Sequence, residues 1–448
     1  MPADLISIAS SGARAAKLAL DVTANNIANA SSEGYIRRSI KVAELGVNSI
    51  AATPTAVNLA GVRVVGVIRN VDQFRQSEVR RTGADSARAN AEVRGLENIE
   101  AAVEQTGVYD SIVKFESGLQ QLLSDPTDGS LRAAVVEQGR TLAETFNTAA
   151  STLQSVGEGL RFEAQDGIDN VNRIAGELAR VNLRLSRAAD ASSDQTALLD
   201  QRDTLLQEMS QYVDIKTSIG QTGVVEVTLG SSASSVLVTG GTAGTLAMTT
   251  ASDGTVSFTL DGNAATISSG SIAGQSSALV ELAGVNAHLD TIAKAIADTV
   301  NAAQAAGVDL QGNAGQPMFS YTAGSAASSL SMIATGGSAV ATAPSGAGAN
   351  SRDASNLSSL RSALAGADPA GDMDSLLFGI SSAVAGRSVT RDALESIASA
   401  AQVALQAQAG VDLDQEAVNL VRFQQAFQAS GRVMQVANDI FDSILSIR

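Results

Sequence analysis

The C-terminal stretch from Val411 to Ile447 carries apolar residues at a seven-residue step, which is the pattern of a helix that packs lengthwise against another helix. The stretch contains no Pro, and only Gly431 weakens its helical propensity. A helix of this length would extend roughly 55 Å at about 1.5 Å per residue, and it cannot cover its own apolar stripe. The sequence therefore predicts a partner helix. The predicted seam has one line with Leu413, Leu420, Phe427, Met434 and Phe441, and a companion line with Phe423, Ala437 and Ile444.

The N-terminal stretch from residue 4 to residue 30 can supply that partner, because its seven-step lines consist largely of small residues. Small side chains allow two helix backbones to approach each other closely. We therefore predict that the two ends of the chain pair as a coiled-coil rod. The N-terminal half of the predicted seam contains Leu5, Ile8, Ala15, Val22, Asn26 and Asn29.

Composition and motifs exclude several functional classes. The net charge of −16 argues against nucleic acid as a partner and disfavours an anionic membrane surface. The apolar clusters fall short of the ~18 residues that a membrane-spanning helix needs, and no cleavable signal peptide is visible. His288 is the only histidine and Cys is absent, so most nucleophile–base pairs cannot be assembled. Asp309 and Asn313 do not complete a calcium loop. We expect no catalytic residues, no cofactor and no metal.

The sequence pattern changes twice between the two ends. Residues 51–213 and 275–404 show mostly helical periodicity, whereas residues 214–274 are rich in Gly, Ser, Thr and Val, with turn signals between short runs. The predicted fold is mainly α with an inserted β domain. Residues 1–50 with 405–448 would form the terminal coiled-coil domain, the two helical spans a middle domain, and residues 214–274 a small antiparallel outer domain.

Two further predictions concern the second half of the chain. Residues 321–370 are rich in Ala, Gly and Ser with little periodicity, which predicts an extended loop. Helix should resume near Asp374 and pass through a junction near Gly386 and Arg387 before the terminal seam.

Asp200 and Asp203 flank Arg202 on a predicted amphipathic helix. Two carboxylates and an Arg could suggest acid–base chemistry. Carboxylates at this spacing on such a helix are more often solvated or ion-paired, and we favour that interpretation.

Three segments resemble the bacterial flagellar rod, hook and hook-associated proteins. An Asn-Asn-Ile-Ala-Asn run precedes a Gly-Tyr pair and a basic residue, although Ile36 stands where that family commonly has a small hydroxyl residue. The segments "LLDQRDTLLQEMSQYVDI" and Asn-Leu-x-Arg-Phe-Gln-Gln resemble the hook-associated members of the family. The residues of these motifs are Asn25, Asn26, Ile27, Asn29, Gly34, Tyr35, Asp200, Gln201, Arg202, Asp203, Asn419, Arg422, Gln424 and Gln425.

The resemblance implies a structural, non-enzymatic subunit that self-assembles as a ring or short tube at the junction between flagellar hook and filament. It implies the hook protein on one side, the second junction protein on the other, and a cytoplasmic export chaperone on the C-terminal helix. It also implies export through the flagellar type III apparatus to an extracellular position in the flagellum. Flagellin or the second junction protein is an alternative of the same class. A secreted adhesin or an enzyme in the β insertion is an alternative of another class.

Overall fold

The computed structural model describes residues 2–32, 34–46, 59–230 and 235–445. Its helices are α1 (Pro2–Ala28), α2 (Gln73–Glu104), α3 (Val108–Leu122), α4 (Gly129–Leu185), α5 (Ser193–Tyr212), α6 (Ser271–Ala306), α7 (Ala326–Ser329), α8 (Ser355–Ala367), α9 (Pro369–Ala409) and α10 (Leu413–Leu445). Its strands are β1 (Arg38–Gly46), β2 (Leu59–Arg69), β3 (Ile215–Ile219), β4 (Val225–Leu229), β5 (Val236–Thr239), β6 (Thr242–Ala243), β7 (Leu246–Thr250), β8 (Val256–Leu260), β9 (Asn263–Ala265), β10 (Gly307–Val308), β11 (Phe319–Ser320), β12 (Ser331–Met332) and β13 (Ala343–Pro344). The predicted fold class, mainly α with inserted antiparallel β structure, is confirmed.

The chain divides into two units by its internal contacts. The first unit contains residues 1–84, 170–246 and 395–448, and the second contains residues 85–169 and 247–394. Within the predicted β-rich segment, the strands form one sheet of order β3-β4-β5-β6 and a second of order β7-β8-β9. The division into terminal, middle and outer domains stays a prediction.

In the first unit, β1 and β2 form an antiparallel hairpin. The β-branched residues of β2, among them Val62, Val64 and Val65, favour a strand. The register of the hairpin places Arg38 directly opposite Arg69. Like charges in that position destabilise a strand pair unless a counter-charge lies nearby.

Asn182 of α4 fixes the four-stranded sheet of the first unit. Its buried side chain donates hydrogen bonds from Nδ2 to the carbonyl oxygens of Val225 (2.8 Å) and Gly240 (2.9 Å). Its Oδ1 accepts a hydrogen bond from the Val225 N–H at 2.9 Å. Because one amide side chain satisfies both backbone groups of Val225 in β4 and the carbonyl of Gly240 in the turn after β5, it holds the sheet in one position on the helix.

The second unit has an apolar core built by α2, α3, the first part of α4, α6, α8 and α9. Phe115 and Phe319 pack edge to face in this core, with ring centroids 5.9 Å apart. Helices α2 and α6 approach closely where a Cβ added to Gly95 would lie 2.4 Å from the Cβ of Ala278. Glycine at that position therefore permits the close approach of the two helices.

The prediction of an extended loop over residues 321–370 is wrong at its C-terminal end, where α8 forms. Leu357, Leu360 and Leu364 are buried along one face of α8 at helical spacing. Burial of these leucines stabilises a helix in a segment whose overall composition predicted a loop. The predicted junction near Gly386 and Arg387 is also absent, because α9 is continuous from Pro369 to Ala409.

The buried guanidinium of Arg132 holds part of the remaining loop. It donates hydrogen bonds to the carbonyl oxygens of Pro126 (2.6 Å) and Val340 (2.8 Å) and to Oγ1 of Thr342 (2.6 Å). Burial lowers the pKa of Arg132 from its usual value. The loop is therefore fixed by a charged side chain whose partners are uncharged oxygens.

Candidate functional site

Helices α1 and α10 pack against each other in the first unit. A Cβ added to Gly12 of α1 would lie 3.1 Å from Oγ of Ser430 on α10, so the two backbones approach closely at this point. On α1, the predicted seam residues Ala15, Val22 and Asn26 are buried. Ile8 and Asn29 are half-buried, and Leu5 is exposed.

On α10 the residues that lie toward α1 belong mainly to the companion line of the predicted seam. Ala437 is buried, and Phe423 and Ser430 are half-buried. In the other line, Leu420 and Met434 are half-buried. The three remaining large residues of that line are exposed, namely Leu413 (54 %), Phe427 (43 %) and Phe441 (49 %). The side chain of Ile444 lies outside the described residues.

A buried carboxylate joins the start of α10 to the end of α1. Glu416 is 1 % exposed, and its Oε1 lies 2.6 Å from Nε of Arg37. Its Oε2 accepts a hydrogen bond of 3.2 Å from Nδ2 of Asn26. Asn419, one turn further along α10, is also buried. A buried carboxylate needs such partners, since taking its charge out of water is otherwise strongly unfavourable.

Asn26 also shapes the loop that follows α1. Its Oδ1 accepts hydrogen bonds from the backbone N–H of Arg38 and the hydroxyl of Tyr35, both at 3.0 Å. Its Nδ2 donates to the carbonyl oxygen of Arg38 at 2.9 Å. Burial raises the pKa of Tyr35, so its hydroxyl keeps the proton that this hydrogen bond uses.

The network continues from Arg38 to α5. Asp200 Oδ2 accepts a hydrogen bond of 2.5 Å from Arg38 Nη2, and Asp200 Oδ1 lies 2.8 Å from Arg69 Nε without hydrogen-bond alignment. Arg69 Nη2 bonds Asp203 Oδ2 at 2.6 Å, and Arg202 Nη2 bonds Asp203 Oδ1 at 2.6 Å. Burial acts to raise the pKa of Asp203, but the charges and hydrogen bonds of Arg202 and Arg69 outweigh it and hold that pKa below its usual value.

We call this network the polar joint; it consists of Asn26, Tyr35, Arg37, Arg38, Arg69, Asp200, Arg202, Asp203 and Glu416. Each of its carboxylates lies against at least one arginine. Within the described ranges, no group of three or more His, Cys, Asp or Glu residues could hold a metal ion. Nor is any helix of the described ranges long and apolar enough to cross a membrane. Because its charged groups pair with one another, the joint is suited to holding α1, the β1–β2 hairpin, α5 and α10 in fixed positions.

Some motif residues identified in the sequence lie outside the joint. The Nδ2 groups of Asn25 and Asn29 donate hydrogen bonds to the carbonyl oxygens four residues earlier in the chain. Gly34 has a φ of 73°, which favours glycine. Arg422 lies over the ring of Phe423 at 4.8 Å. Gln201, Gln424 and Gln425 are exposed, and Ile27 is half-buried.

Sequence reasoning missed Arg37, Arg38, Arg69 and Glu416 as members of one site. The sequence did contain one indication of this site, the opposite charges of its segments. The segments after α1 and at the end of β2 are basic, and those in α5 and α10 are acidic. The pairing of these segments depends on the fold, since the hydrogen-bonded partners Arg37 and Glu416 are 379 positions apart in the chain.

Both ends of the chain match models of flagellar axial proteins. Residues 6–35 match the family described as flagella basal body rod protein, and residues 405–447 match the flagellar basal body rod FlgEFG protein C-terminal family. The paired ends thus define a protein of the flagellar rod and hook class. Residues 93–319 match the family described as flagellar hook-associated protein FlgK helical domain, and the chain belongs to this family. This match favours a hook-associated protein over flagellin.

Relatives with curated names agree with this assignment. Flagellar hook-associated protein 1 of Bacillus subtilis is 24 % identical to this chain. The alignment, gaps included, is 489 residues long and covers 96 % of each chain. The protein of the same name from Escherichia coli is 26 % identical over 328 residues, which cover 70 % of this chain and 59 % of the relative. The solved structure of the flagellar hook junction protein FlgK from Burkholderia pseudomallei shares the fold, with a TM-score of 0.50 and 21 % identity over 55 % of this chain and 47 % of that chain.

Proposed function

We propose that this chain is a structural subunit at the junction between the hook and the filament of the bacterial flagellum. Copies would be held together through the α1–α10 pair, and the chain would have no catalytic activity. The observation that carries this proposal is the exposed apolar line on α10, beside the face that packs on α1.

The exposed line contains Leu413, Phe427 and Phe441, each with 43–54 % of its surface accessible. A second exposed line on α10 contains Val433, Val436 and Ile440. At 100° per residue the two lines lie on opposite flanks of the face that packs on α1. Exposed apolar surface of this extent marks an interaction site, and two different flanks on one helix suit contact with two neighbouring copies.

Two non-equivalent contact surfaces have a geometric consequence. When one surface of a subunit binds a different surface of the next, repetition produces a ring or a helical tube. The polar joint supports this use of α10, because it fixes the start of the helix relative to the β1–β2 hairpin and α5. A fixed helix presents the same two lines in every copy.

The finer assignments rest on the family. We propose that the hook protein binds on one side of the assembled ring and the second junction protein on the other. Before assembly, a cytoplasmic chaperone would cover the exposed lines of α10, and the chain would leave the cell through the flagellar type III apparatus. In the assembly, residues 1–50 with 405–448 would form an inner tube, residues 51–213 with 275–404 a middle domain, and residues 214–274 an outer domain.

Substitution of Phe427 tests the proposal. Phe427→Asp places a charge in the exposed apolar line, and we expect cells that carry it to have hooks without filaments and to shed flagellin into the medium. The matched control is Gln428→Asp, which adds a charge at the next exposed position, away from both lines. Electron microscopy of the flagella is the measurement. Normal filaments in the Phe427→Asp strain would contradict the proposal.

A further inference from the structure

The second unit contains a cleft of about 610 Å³ that is separate from the polar joint and from the α1–α10 pair. Helix α6 lines it from Glu281 to Ile292, and α9 lines it from Asp372 to Ala383. Leu96 and Ile99 of α2 complete the apolar part of the lining. Its volume falls within the range of about 300–1,000 Å³ that is typical of binding clefts in proteins.

The shape of the cleft follows from the spacing of its lining residues. On α9 these are Asp372, Ser375, Leu376, Gly379, Ile380 and Ala383, which occupy one helical face over three turns. The contribution of α6 has the same length, from residue 281 to residue 292. Eleven residue steps correspond to roughly 16 Å along each helix. A cleft of this length between two helical faces can accept the side chains along one face of a third helix.

The walls of the cleft are held against α2 by polar and close backbone contacts. Arg387 of α9 lies 3.0 Å from Glu92 of α2, and Ser381 donates a hydrogen bond of 2.5 Å to Glu100. Helix α6 contacts α2 closely at Gly274, where an added Cβ would lie 2.2 Å from the carbonyl oxygen of Arg88. Because both walls are held by α2, the cleft is a standing feature of the unit and needs no rearrangement to exist.

Two glycines in the cleft walls face open space among the residues that the structure describes. A Cβ added to Gly284 or to Gly379 would meet no atom within 4 Å. By contrast, Gly95 and Gly274 are required by the contact between α2 and α6. A glycine inside a helix costs roughly 0.5–1 kcal/mol relative to alanine. The space above Gly284 and Gly379 is therefore left open at a cost to the helices.

The charge of the cleft border is of one sign. Glu281 of α6 and Asp372 of α9 are the carboxylates of the lining, and His288 of α6 is an exposed member of it. Among the residues that the structure describes, no Lys or Arg lines the cleft. The apolar lining with an acidic border is complementary to an apolar segment that carries cationic side chains.

We propose that this cleft binds an amphipathic α-helix of a different protein chain, with large aliphatic or aromatic side chains on one face and Lys or Arg at the border of that face. The aliphatic side chains enter the cleft above Gly284 and Gly379. The cations lie against Glu281 and Asp372. This binding uses the second unit alone and does not depend on assembly at the hook–filament junction.

A designed peptide tests the proposal on the full-length chain. The probe is a fluorescent helical peptide of about 18 residues with Leu at i, i+3, i+4 and i+7 spacing and Lys at the border, long enough to be helical. A second peptide carries Glu in place of Lys. We expect the Lys peptide to bind at least about tenfold more tightly than the Glu peptide, as measured by fluorescence anisotropy at physiological salt.

Variants distinguish binding of the peptide in the cleft from its nonspecific electrostatic attraction to a chain with a net charge of −16. Gly379→Leu and Gly284→Leu fill the cleft without changing charge, and each should lower the affinity for the Lys peptide at least about tenfold. Gly386→Leu is the matched control, because Gly386 is also on α9, also meets no atom within 4 Å, and does not line the cleft. It should leave the affinity unchanged. Asp372→Lys should weaken the preference for the Lys peptide, because it leaves one acidic and one basic side chain at the border.

The following results would overturn the proposal. Equal binding of the Lys peptide by the wild-type chain and by both correctly folded cleft-filling variants would place its binding elsewhere. Equal binding of the Lys and Glu peptides would remove the role of the acidic border. Self-association of the chain that is abolished by Gly379→Leu but not by Gly386→Leu, as measured by sedimentation, would identify a second copy of the chain as the occupant.

Discussion

Glu416 of α10 and Arg37 of the loop after α1 form an ion pair with 2.6 Å between Oε1 and Nε, although 379 positions separate them in the chain. Glu416 is 1 % exposed and Arg37 is 27 % exposed. The carboxylate also accepts a hydrogen bond from Asn26, so its position is set by both ends of one loop. The pair therefore fixes the register of α10 on α1 at one end of the two helices.

Glu416→Ala should weaken this register. It leaves the guanidinium of Arg37 and the amide of Asn26 without their common partner, which we expect to cost about 2–4 kcal/mol, less than a fully buried pair because Arg37 still reaches solvent. Hydrogen exchange of the α10 backbone measures the loss as faster exchange. Asp414→Ala, at an exposed position in the same turn of α10, is the control and should cost about 0.5 kcal/mol. Equal exchange rates in the two variants would show that the ion pair does not hold the helix.

The polar joint should lose stability in acid, in a direction set by Asp203. The pKa of Asp203 in the folded chain lies below its usual value, so this group binds protons more readily in the unfolded chain than in the folded one. Its contribution to stability is therefore fully present above the unfolded pKa of about 3.9 and is lost as pH falls through the lower folded pKa. The free energy of unfolding of the wild-type chain should fall over this range.

Asp203→Asn tests the assignment, because it removes the titrating group. The variant should be less stable than the wild type at neutral pH, and the difference should shrink as pH falls below about 4. Denaturant titrations from neutral pH to about pH 3 measure it. A difference that stayed constant over the whole range would assign the acid sensitivity to other carboxylates.

Asn182→Ala should destabilise the four-stranded sheet of the first unit. The substitution leaves the Val225 N–H and two carbonyl oxygens without their partner, and we expect a loss of about 2–3 kcal/mol. Hydrogen exchange at β4 and β5 is the measurement. Gln165→Ala is the control on the same helix, since its exposed side chain bonds only Asp169, and it should change stability by less than about 0.5 kcal/mol. Unchanged exchange in β4 after Asn182→Ala would mean that the sheet is held by its apolar contacts.

The terminal helices could be predicted from sequence because their apolar periodicity extends over many turns. The face of α10 that packs on α1 could not be predicted from the same pattern. Phe427 and Phe423 both lie on apolar lines, and a repeat of seven residues does not decide which line contacts a given partner. The small residues of α1 and the position of Glu416 decide it, so that Phe427 stays exposed.

The errors in the second half of the chain have two physical causes. Composition predicted a loop over residues 321–370, but Leu357, Leu360 and Leu364 bury one face of α8 in the core of the second unit. Gly386 predicted a junction, but a single glycine costs a helix only about 1 kcal/mol, and α9 continues through it. Packing outweighs composition at α8, whereas α9 continues because one glycine costs too little to end a long helix. The polar joint could not be assembled from sequence either, because its members come from four distant segments.

The facing arginines of the β1–β2 hairpin have a consequence for the order of folding. Arg38 and Arg69 stand directly opposite each other, and Asp200 of α5 lies against both. Until residue 200 has been synthesised and α5 has docked, that end of the hairpin contains two unneutralised positive charges side by side. That end of the hairpin should therefore pair late in folding, after the formation of α5, which lies more than a hundred residues further along the chain.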